Sequence, residues 1–314
     1  MSDYKAIKGI GLKSIAGDPT GLTGHVWYDS AANAFQVHTG VGAWSTGGDC
    51  VNSLQRHNGG AGIQTAGLIF GGYPPSSDTS EEYDGSAWAE GNELGTARYS
   101  HAGCGTQTAG LCFGGDSDKN ETEEYNGASW AEQENLNTGR TQLGGCGTQT
   151  AGLAFGGQSP AVDETEEYNG ASWAEQDDMN TAKRIVGNSG IQTAALAFGG
   201  TPPNFLAICE EYNGSSWAES GDLSTPRATI AGFGIQTATV AAGGNDTGLQ
   251  AAVEDYNGAT WASGTNLPAA SKAAAGGGTQ GTAFIAGGEL APGITEECLE
   301  YNVTSASAKE ITSS

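Results

Sequence analysis

Basic residues are scarce in this sequence. Its 314 residues include 12 Lys and Arg against 36 Asp and Glu, which gives a formal net charge of −24 at pH 7. A chain of this charge is repelled by nucleic-acid phosphates and by anionic lipid surfaces. The composition therefore predicts a protein that binds neither nucleic acid nor a membrane surface.

Long apolar runs and proline are scarce as well. No stretch approaches the roughly 18 apolar residues of a membrane-spanning helix, and residues 1–21 lack the apolar core of a secretory signal. We therefore expect neither membrane insertion nor classical export. Glycine is abundant, with 52 residues against 9 prolines, but it does not recur at every third position. A collagen-like chain is thereby excluded.

Cysteine is limited to six residues, and none of them belongs to a C-x-x-C pair. Cys104 and Cys146 occupy equivalent positions of an internal repeat, as do Cys209 and Cys298. Small residues at equivalent positions indicate packing, so we expect free, buried thiols. The four His residues fall at unmatched repeat positions, and the sequence predicts neither a metal site nor a cofactor.

The phrase T-Q-T-A-G-L-C-F-G-G, residues 106–115, recurs with small changes. The first Gly of its terminal pair falls at residues 71, 114, 156, 199, 243 and 287, a spacing of 42 to 44 residues. Tyr, Trp and basic residues share this period, and we assign the last two series structural roles. The Trp series is Trp44, Trp88, Trp130, Trp173, Trp217 and Trp261. The basic series is Arg56, Arg98, Arg140, Arg184, Arg227 and Lys272.

Each repeat predicts four short strands. In the second strand, Ala109, Leu111 and Phe113 alternate with smaller residues, which is the period of a β-strand. Asn126-Gly127 is a strong signal for a two-residue hairpin between the third and fourth strands. Four strands in about 43 residues are typical of one blade of a β-propeller.

The order of these markers resembles the kelch repeat. Tyr follows each Gly-Gly pair after 10 to 13 residues, and Trp follows Tyr after five residues in five units. The resemblance covers residues 43–302 and implies a propeller whose strands run outward from the axis. Kelch propellers bind partners far more often than they catalyse, so the resemblance also implies a binding function.

Five complete units lie between Arg56 and Trp261. Three strands at the C-terminal end and the Trp44 strand can combine into one further blade. We therefore expect an all-β, six-bladed kelch-type β-propeller with an N-terminal β-hairpin. Seven blades are the alternative, if the strands expected at Val26–Asp29 and Ala34–His38 widen the ring. The expected organisation is a docking segment at 1–42, a propeller at 43–302 and a tail at 303–314.

The loops between the second and third strands differ from blade to blade. Rigid scaffolds usually carry recognition on such loops. The candidate ligand-binding residues are Tyr73, Asp116, Asp118, Asn120, Phe205, Leu206, Ile208 and Asn245. Residues 116, 118 and 120 have the first offsets of a calcium loop, but its later Gly and Glu are absent. No metal is predicted there, and a calcium site stays an alternative.

Pairs of Glu precede the repeat Tyr in nearly every unit. Because an enzyme site would break the repeat symmetry, we expect one Glu of each pair to bind a repeat Arg. The sequence predicts no catalytic residue and no enzymatic activity.

Residues 7–35 resemble the leader of bacteriophage structural proteins that precedes a repeat domain. This resemblance implies a tail, fibre or capsid-displayed protein of the virion, synthesised in the host cytoplasm. It would contact other virion proteins through its N-terminal segment, form a homo-oligomer on the particle and bind a host-surface glycan or protein. The alternatives are a glycan-active propeller enzyme and an intracellular kelch interaction module.

Overall fold

The computed structural model of the protein describes residues 14–15, 26–29, 34–37, 41–55, 59–158, 160–201, 203–304 and 309–310. All regular structure in these residues is β-strand. The described part holds no helix long and apolar enough to cross a membrane. The chain divides into two compact units, Met1–Ala43 with Val303–Ser314, and Trp44–Asn302.

The described residues of the first unit form one sheet. Its strands, in the order β1-β2-β3-β31, are β1 (Ser14–Ile15), β2 (Val26–Asp29), β3 (Ala34–Val37) and β31 (Lys309–Glu310). Strands β2 and β3 pair antiparallel as a hairpin. His38, which the sequence places at the end of this hairpin, lies outside the described residues.

The second unit contains six four-stranded sheets in the described residues, which we number as blades 1 to 6. Blade 1 consists of β5 (Gly60–Ile63), β6 (Ala66–Phe70), β7 (Ser80–Tyr83) and β8 (Trp88–Glu90). Blade 2 consists of β9 (Ala102–Thr106), β10 (Ala109–Phe113), β11 (Thr122–Tyr125) and β12 (Trp130–Gln133). Blade 3 consists of β13 (Gly144–Thr148), β14 (Ala151–Phe155), β15 (Thr165–Tyr168) and β16 (Trp173–Gln176).

The remaining blades follow the same order until the last. Blade 4 consists of β17 (Gly187–Ile191), β18 (Ala194–Phe198), β19 (Cys209–Tyr212) and β20 (Trp217–Glu219). Blade 5 consists of β21 (Ala231–Ile235), β22 (Ala238–Ala242), β23 (Val253–Tyr256) and β24 (Trp261–Ser263). Blade 6 consists of β26 (Ala275–Gly278), β27 (Thr282–Ala286), β30 (Cys298–Thr304) and, as its outermost strand, β4 (Val41–Thr46). A small three-stranded sheet joins β25 (Ser271–Lys272), β28 (Glu289–Leu290) and β29 (Gly293–Ile294).

The first strands of the blades surround one axis. Strands β5, β9, β13, β17, β21 and β26 contact one another in this order, and β26 contacts β5. This cyclic arrangement of four-stranded antiparallel sheets is a β-propeller. The outermost strand of blade 6 comes from the N-terminal side of the unit, so the two ends of the propeller chain are joined in one sheet.

The Gln of the repeated phrase joins neighbouring blades. Gln107 Nε2 donates to the carbonyl oxygens of Gly67 (3.2 Å) and Tyr83 (2.8 Å) in the preceding blade. Equivalent pairs of bonds are made by Gln149, Gln192, Gln236 and Gln280. The phrase is therefore a device of the scaffold.

A second joint links the Tyr hydroxyl of one blade to the Glu that directly precedes the repeat Tyr of the preceding blade. Tyr125 Oη donates to Glu82 Oε1 over 2.6 Å. The other bonds are Tyr83–Glu300, Tyr168–Glu124, Tyr212–Glu167 and Tyr256–Glu211. Burial and the carboxylate partner raise the pKa of Tyr125. The neutral hydroxyl therefore donates throughout the physiological pH range.

A third joint is aromatic. The Trp of each blade packs on its own Tyr and on a Phe of the preceding blade, as in Phe155 and Trp217, whose ring centroids are 5.0 Å apart. Blades 5 and 6 have Ala where the earlier blades have this Phe. There Phe233 and Phe284, from other positions, contact Trp44 and Trp88. The aromatic contact with Trp is thus kept in these blades, although the Phe that makes it comes from a different position of the repeat.

Each of blades 2 to 5 holds a fully buried base. Arg98 binds Glu123 (2.5 Å) and the carbonyl oxygens of Gly114 and Glu121. Arg140–Glu166 (2.9 Å) and Arg227–Glu254 (3.0 Å) repeat this ion pair. The expectation that one Glu per blade binds a repeat Arg is confirmed in blades 2, 3 and 5. Burial of a base is offset here by a charge partner and by carbonyl acceptors.

The basic series needs one correction in blade 4. Lys183, not Arg184, is the buried base, and its Nζ lies 3.1 Å from Glu210 Oε1. The reason is register: the buried bases lie 16 residues before the first Gly of the pair, and Arg184 lies 15 before Gly199. The same count places Gln55 and Ser271, rather than Arg56 and Lys272, at this position, and Arg56 lies outside the described residues.

All six cysteines are buried and none forms a disulfide, as the sequence predicts. Burial raises the pKa of Cys112, Cys146, Cys209 and Cys298 to about 12. These thiols are packing residues of the blades.

Candidate functional site

The propeller has two unlike faces. The loop face is formed by the loops between second and third strands together with the connections that enter each first strand. Bridges between Gln55 and Tyr73, Arg184 and Thr201, and Ala228 and Asn245 hold these segments side by side. The turn face, at the opposite ends of the strands, is formed by the turns between first and second strands and between third and fourth strands.

A ring of backbone hydrogen bonds lies at the centre of the loop face. It is built by the residues two positions after the buried base, which have φ between 52° and 59°: Ser100, Gln142, Ile185, Thr229 and Ala273. From Gln142 onward, each amide donates to the carbonyl oxygen of the preceding member, from Gln142 to Ser100 (2.7 Å) through Ala273 to Thr229 (3.2 Å). Left-handed backbone is costly for these residues. The ring bonds offset that cost and fix the positions of the side chains.

A depression opens above this ring. Its central part is lined by the ring residues with Gln55, Tyr73 and Tyr99. It continues between blades 4 and 5 into a wider compartment of about 380 Å³, whose further lining includes Arg184, Thr201, Pro203, Phe205, Asn245 and Lys272. The two parts share Gln55, Ile185, Thr229 and Ala273. We call the whole the axial depression.

Aromatic rings line the axial depression on separate sides. Tyr73 is 45% exposed, and its ring centroid lies 4.9 Å from that of Tyr99 at an angle of 44°. The Tyr99 amide donates to Asp116 Oδ1 over 3.0 Å, which fixes the backbone beneath the ring. Phe205 lines the wider compartment. Rigid aromatic faces of this kind offer apolar contact at low entropic cost.

Polar side chains complete the lining. Arg184 donates from a guanidinium nitrogen to Gln142 Oε1, and Thr229 Oγ1 donates to Asn245 Oδ1. Gln55 Nε2 donates to Glu289 Oε2 (2.8 Å), which also lies 3.3 Å from Lys272 Nζ. Two bases therefore lie at the depression of a chain whose net charge is −24. Among the described residues, Arg184 makes no ion pair with a carboxylate.

The structure brings three of the eight candidate residues to the axial depression, namely Tyr73, Phe205 and Asn245. Leu206 and Ile208 instead supply backbone bonds, to Arg227 and to the Gly-Gly pair. Asp116 binds Lys119 Nζ (2.9 Å) and supports Tyr99, whereas Asn120 Nδ2 donates to Leu136 O over 3.5 Å. Asp118 adopts φ 53° in the same turn. Within the described residues, no cluster of three or more His, Cys, Asp or Glu could hold a metal ion.

The ring residues were missed at the level of sequence. They lie beside the buried base, in a connection that the repeat pattern treats as part of the first strand. A signal was present, because this position differs in each described blade and lies two residues after the base that four blades share. Differences from blade to blade drew attention to the second-to-third-strand loops, whereas the depression uses both segments.

Comparisons with known proteins agree with the fold. No protein-family model matches the chain, and no curated protein matches it. The structure is similar to the solved structure of YjhT, with a TM-score of 0.69 and 12% sequence identity. The match covers 85% of this chain and 100% of YjhT. At this identity the similarity shows the β-propeller fold alone.

Proposed function

We propose that this protein is a non-enzymatic binding propeller that holds a saccharide of a host-surface glycan in the axial depression. The observation that carries the proposal is the lining itself. The exposed ring of Tyr73, the half-buried rings of Tyr99 and Phe205, planar amide and guanidinium groups, and hydroxyl groups converge in one concave site on a rigid ring. Binding sites of proteins typically combine apolar walls with a few fixed polar groups.

The chemistry of the lining suits a sugar. Sugar rings present a C–H face, which packs on aromatic side chains, and vicinal hydroxyls, which bond to planar polar groups. Tyr73 and Phe205 supply the first kind of contact, and Gln142 and Arg184 supply the second. The backbone ring holds these groups before the ligand arrives, and such preorganisation lowers the entropic cost of binding.

An array of neutral and acidic oligosaccharides tests this proposal with the intact chain. We expect a subset of the array to be bound. Tyr73→Ala and Arg184→Gln should each lower that binding at least about tenfold, a loss of about 1.4 kcal/mol. Val51→Ala is the matched control, because Val51 is 49% exposed and does not line the depression. The proposal would be contradicted if no oligosaccharide were bound, or if both site variants bound as tightly as the native chain. Turnover of the bound saccharide would also contradict it.

We further propose that the repeat is of the kelch type and that the chain is a component of a phage virion, in its tail, fibre or capsid. Support for the first part comes from the roles of the markers, since the Gly-Gly carbonyls accept from the buried base and Tyr packs on Trp. Support for the second part is the resemblance of residues 7–35 to phage structural leaders. In this view the N-terminal segment contacts other virion proteins.

Mass spectrometry of purified phage particles tests the virion proposal. Peptides of this chain should be found in particles that withstand gradient purification. Absence from such particles, together with a cellular partner in a pull-down, would favour an intracellular interaction module instead.

A further inference from the structure

The turn face carries three exposed isoleucines at equivalent positions. Ile63, Ile191 and Ile235 end the first strands of blades 1, 4 and 5, and they are 52%, 49% and 57% exposed. Thr occupies the equivalent position in blades 2, 3 and 6. Ile191 and Ile235 end neighbouring first strands, which contact each other, and Ile63 lies on the same face. Exposed apolar groups that cluster on one face are typical of an interaction surface.

Charge is nearly absent from the same face. In its described turns, residues 63–66, 84–87, 106–109, 126–129, 148–151, 169–172, 191–194, 213–216, 235–238, 257–260 and 279–282, the single ionisable side chain is Asp84. The negative charge of the chain is carried elsewhere, for example by exposed Glu132 and Glu175 on outermost strands. The turn face is therefore a neutral surface on a strongly acidic protein.

The polar groups of the turn face are largely satisfied within the chain. The Gln side chains of its first turns donate to carbonyl oxygens of the neighbouring blade. In the hairpin turns, Asn126 Oδ1 accepts from the amides of Ala128 and Ser129, both over 2.9 Å. The same cap recurs at Asn169, Asn213 and Asn257. Covering this face would consequently leave few polar groups without partners.

We propose that the turn face binds the turn face of a second copy of this chain, in a two-fold symmetric dimer. Two copies of charge −24 repel each other wherever their acidic surfaces meet, and the neutral face is where they can approach without that cost. A basic partner would be drawn to the acidic outer strands and would find no carboxylates among the isoleucines. In a two-fold symmetric dimer, the turn face of one copy contacts the same face of the other copy, which is the usual arrangement of a homodimer. The proposal does not depend on the saccharide site.

Sedimentation of the intact chain in about 150 mM NaCl, where the Debye length is about 8 Å, tests the proposal. We expect a reversible dimer at micromolar concentration. The combined variant Ile63→Thr, Ile191→Thr and Ile235→Thr uses the residue that three blades already carry, so it should fold like the native chain. It should weaken the dimer at least about 100-fold, because six isoleucines leave the interface.

A second variant separates lost contact from altered repulsion. The double variant Ile191→Lys with Ile235→Lys lowers the net negative charge, so the general repulsion between copies falls. It should nevertheless be a monomer, because dimerisation would remove the two lysine ammonium groups of each copy from water. Val51→Lys, at an equally exposed apolar residue outside the turn face, should remain dimeric. A native chain that is monomeric at all concentrations, or a dimer unaffected by the isoleucine variants, would overturn the proposal.

Discussion

The joints between blades and the lining of the axial depression follow opposite rules. At the joints, one Gln, one Tyr–Glu bond and one Phe–Trp contact recur in most blades. At the depression, the equivalent ring position is occupied by Ser, Gln, Ile, Thr and Ala in turn. The difference teaches that repetition in this molecule marks stability, whereas departure from the repeat marks the surface available for recognition.

Two arginines give the sharpest form of this comparison. Arg140 is fully buried in an ion pair with Glu166, and burial lowers its pKa although the nearby carboxylates favour the charged form. Arg140→Met should leave Glu166 buried without its partner and destabilise the fold by about 3–5 kcal/mol. Arg184→Met, at the depression, should change stability by less than about 0.5 kcal/mol. Urea unfolding of both variants measures the contrast, and equal losses would contradict it.

The Gln joints should give the next largest effect. Gln192→Ala removes two bonds, of 3.1 Å and 2.7 Å, to carbonyl oxygens of Gly152 and Tyr168. The expected cost is about 1–3 kcal/mol, because acceptors lose partners between packed blades. Thermal unfolding checks this value. A loss of unfolding free energy below about 0.3 kcal/mol would mean that water replaces the Gln side chain, and that the Gln of the repeated phrase does not join the blades.

One joint departs from the repeat and allows a smaller test. Asp255 stands where other blades carry Glu, and its described contacts include no bond to Tyr301, the equivalent of Tyr256. Tyr212→Phe should therefore cost about 1 kcal/mol, whereas Tyr301→Phe should be nearly neutral. Asp255→Glu should restore the missing bond and raise the melting temperature. A lower melting temperature in Asp255→Glu would show that the gap between blades 5 and 6 differs from the gaps between the other blades.

The same residue predicts a small pH effect. Burial raises the pKa of Asp255 above its usual value of 3.8. The folded state therefore holds this proton more tightly, and Asp255 lowers stability progressively as pH rises through its folded pKa. Asp255→Asn should be more stable than the native chain at pH 7 by less than about 1 kcal/mol, with the difference vanishing below about pH 3. A difference that is independent of pH would contradict this cause.

The propeller was predictable from the sequence because its markers are periodic. Strand alternation, the Asn-Gly hairpin and the Gly-Gly pairs are local, and their recurrence indicates blades without any knowledge of tertiary contacts. The basic series shows the limit, since a one-residue offset at Lys183 and Arg184 exchanges a buried ion pair for a side chain at the depression. Counting back from the Gly-Gly pair would have resolved it.

The axial depression was less predictable because it is assembled across blades. Tyr73 and Tyr99 belong to different repeats, and Ser100, Gln142 and Thr229 meet through backbone bonds that no local pattern specifies. Long loops and apolar residues pointed to Leu206 and Ile208, whose backbone atoms serve the framework instead. Loop composition therefore indicated the face that carries the axial depression, but only part of the lining.

Two glutamines test the central claim most directly, because Gln142 lines the depression and Gln192 joins two blades. Titration calorimetry with the best-bound array oligosaccharide should be run on Gln142→Ala and Gln192→Ala beside the native chain, with urea unfolding in parallel. Gln142→Ala should lose affinity at least about tenfold at unchanged stability, and Gln192→Ala should keep its affinity at reduced stability. Unchanged affinity in Gln142→Ala, or lost affinity in Gln192→Ala while it remains folded, would contradict the account.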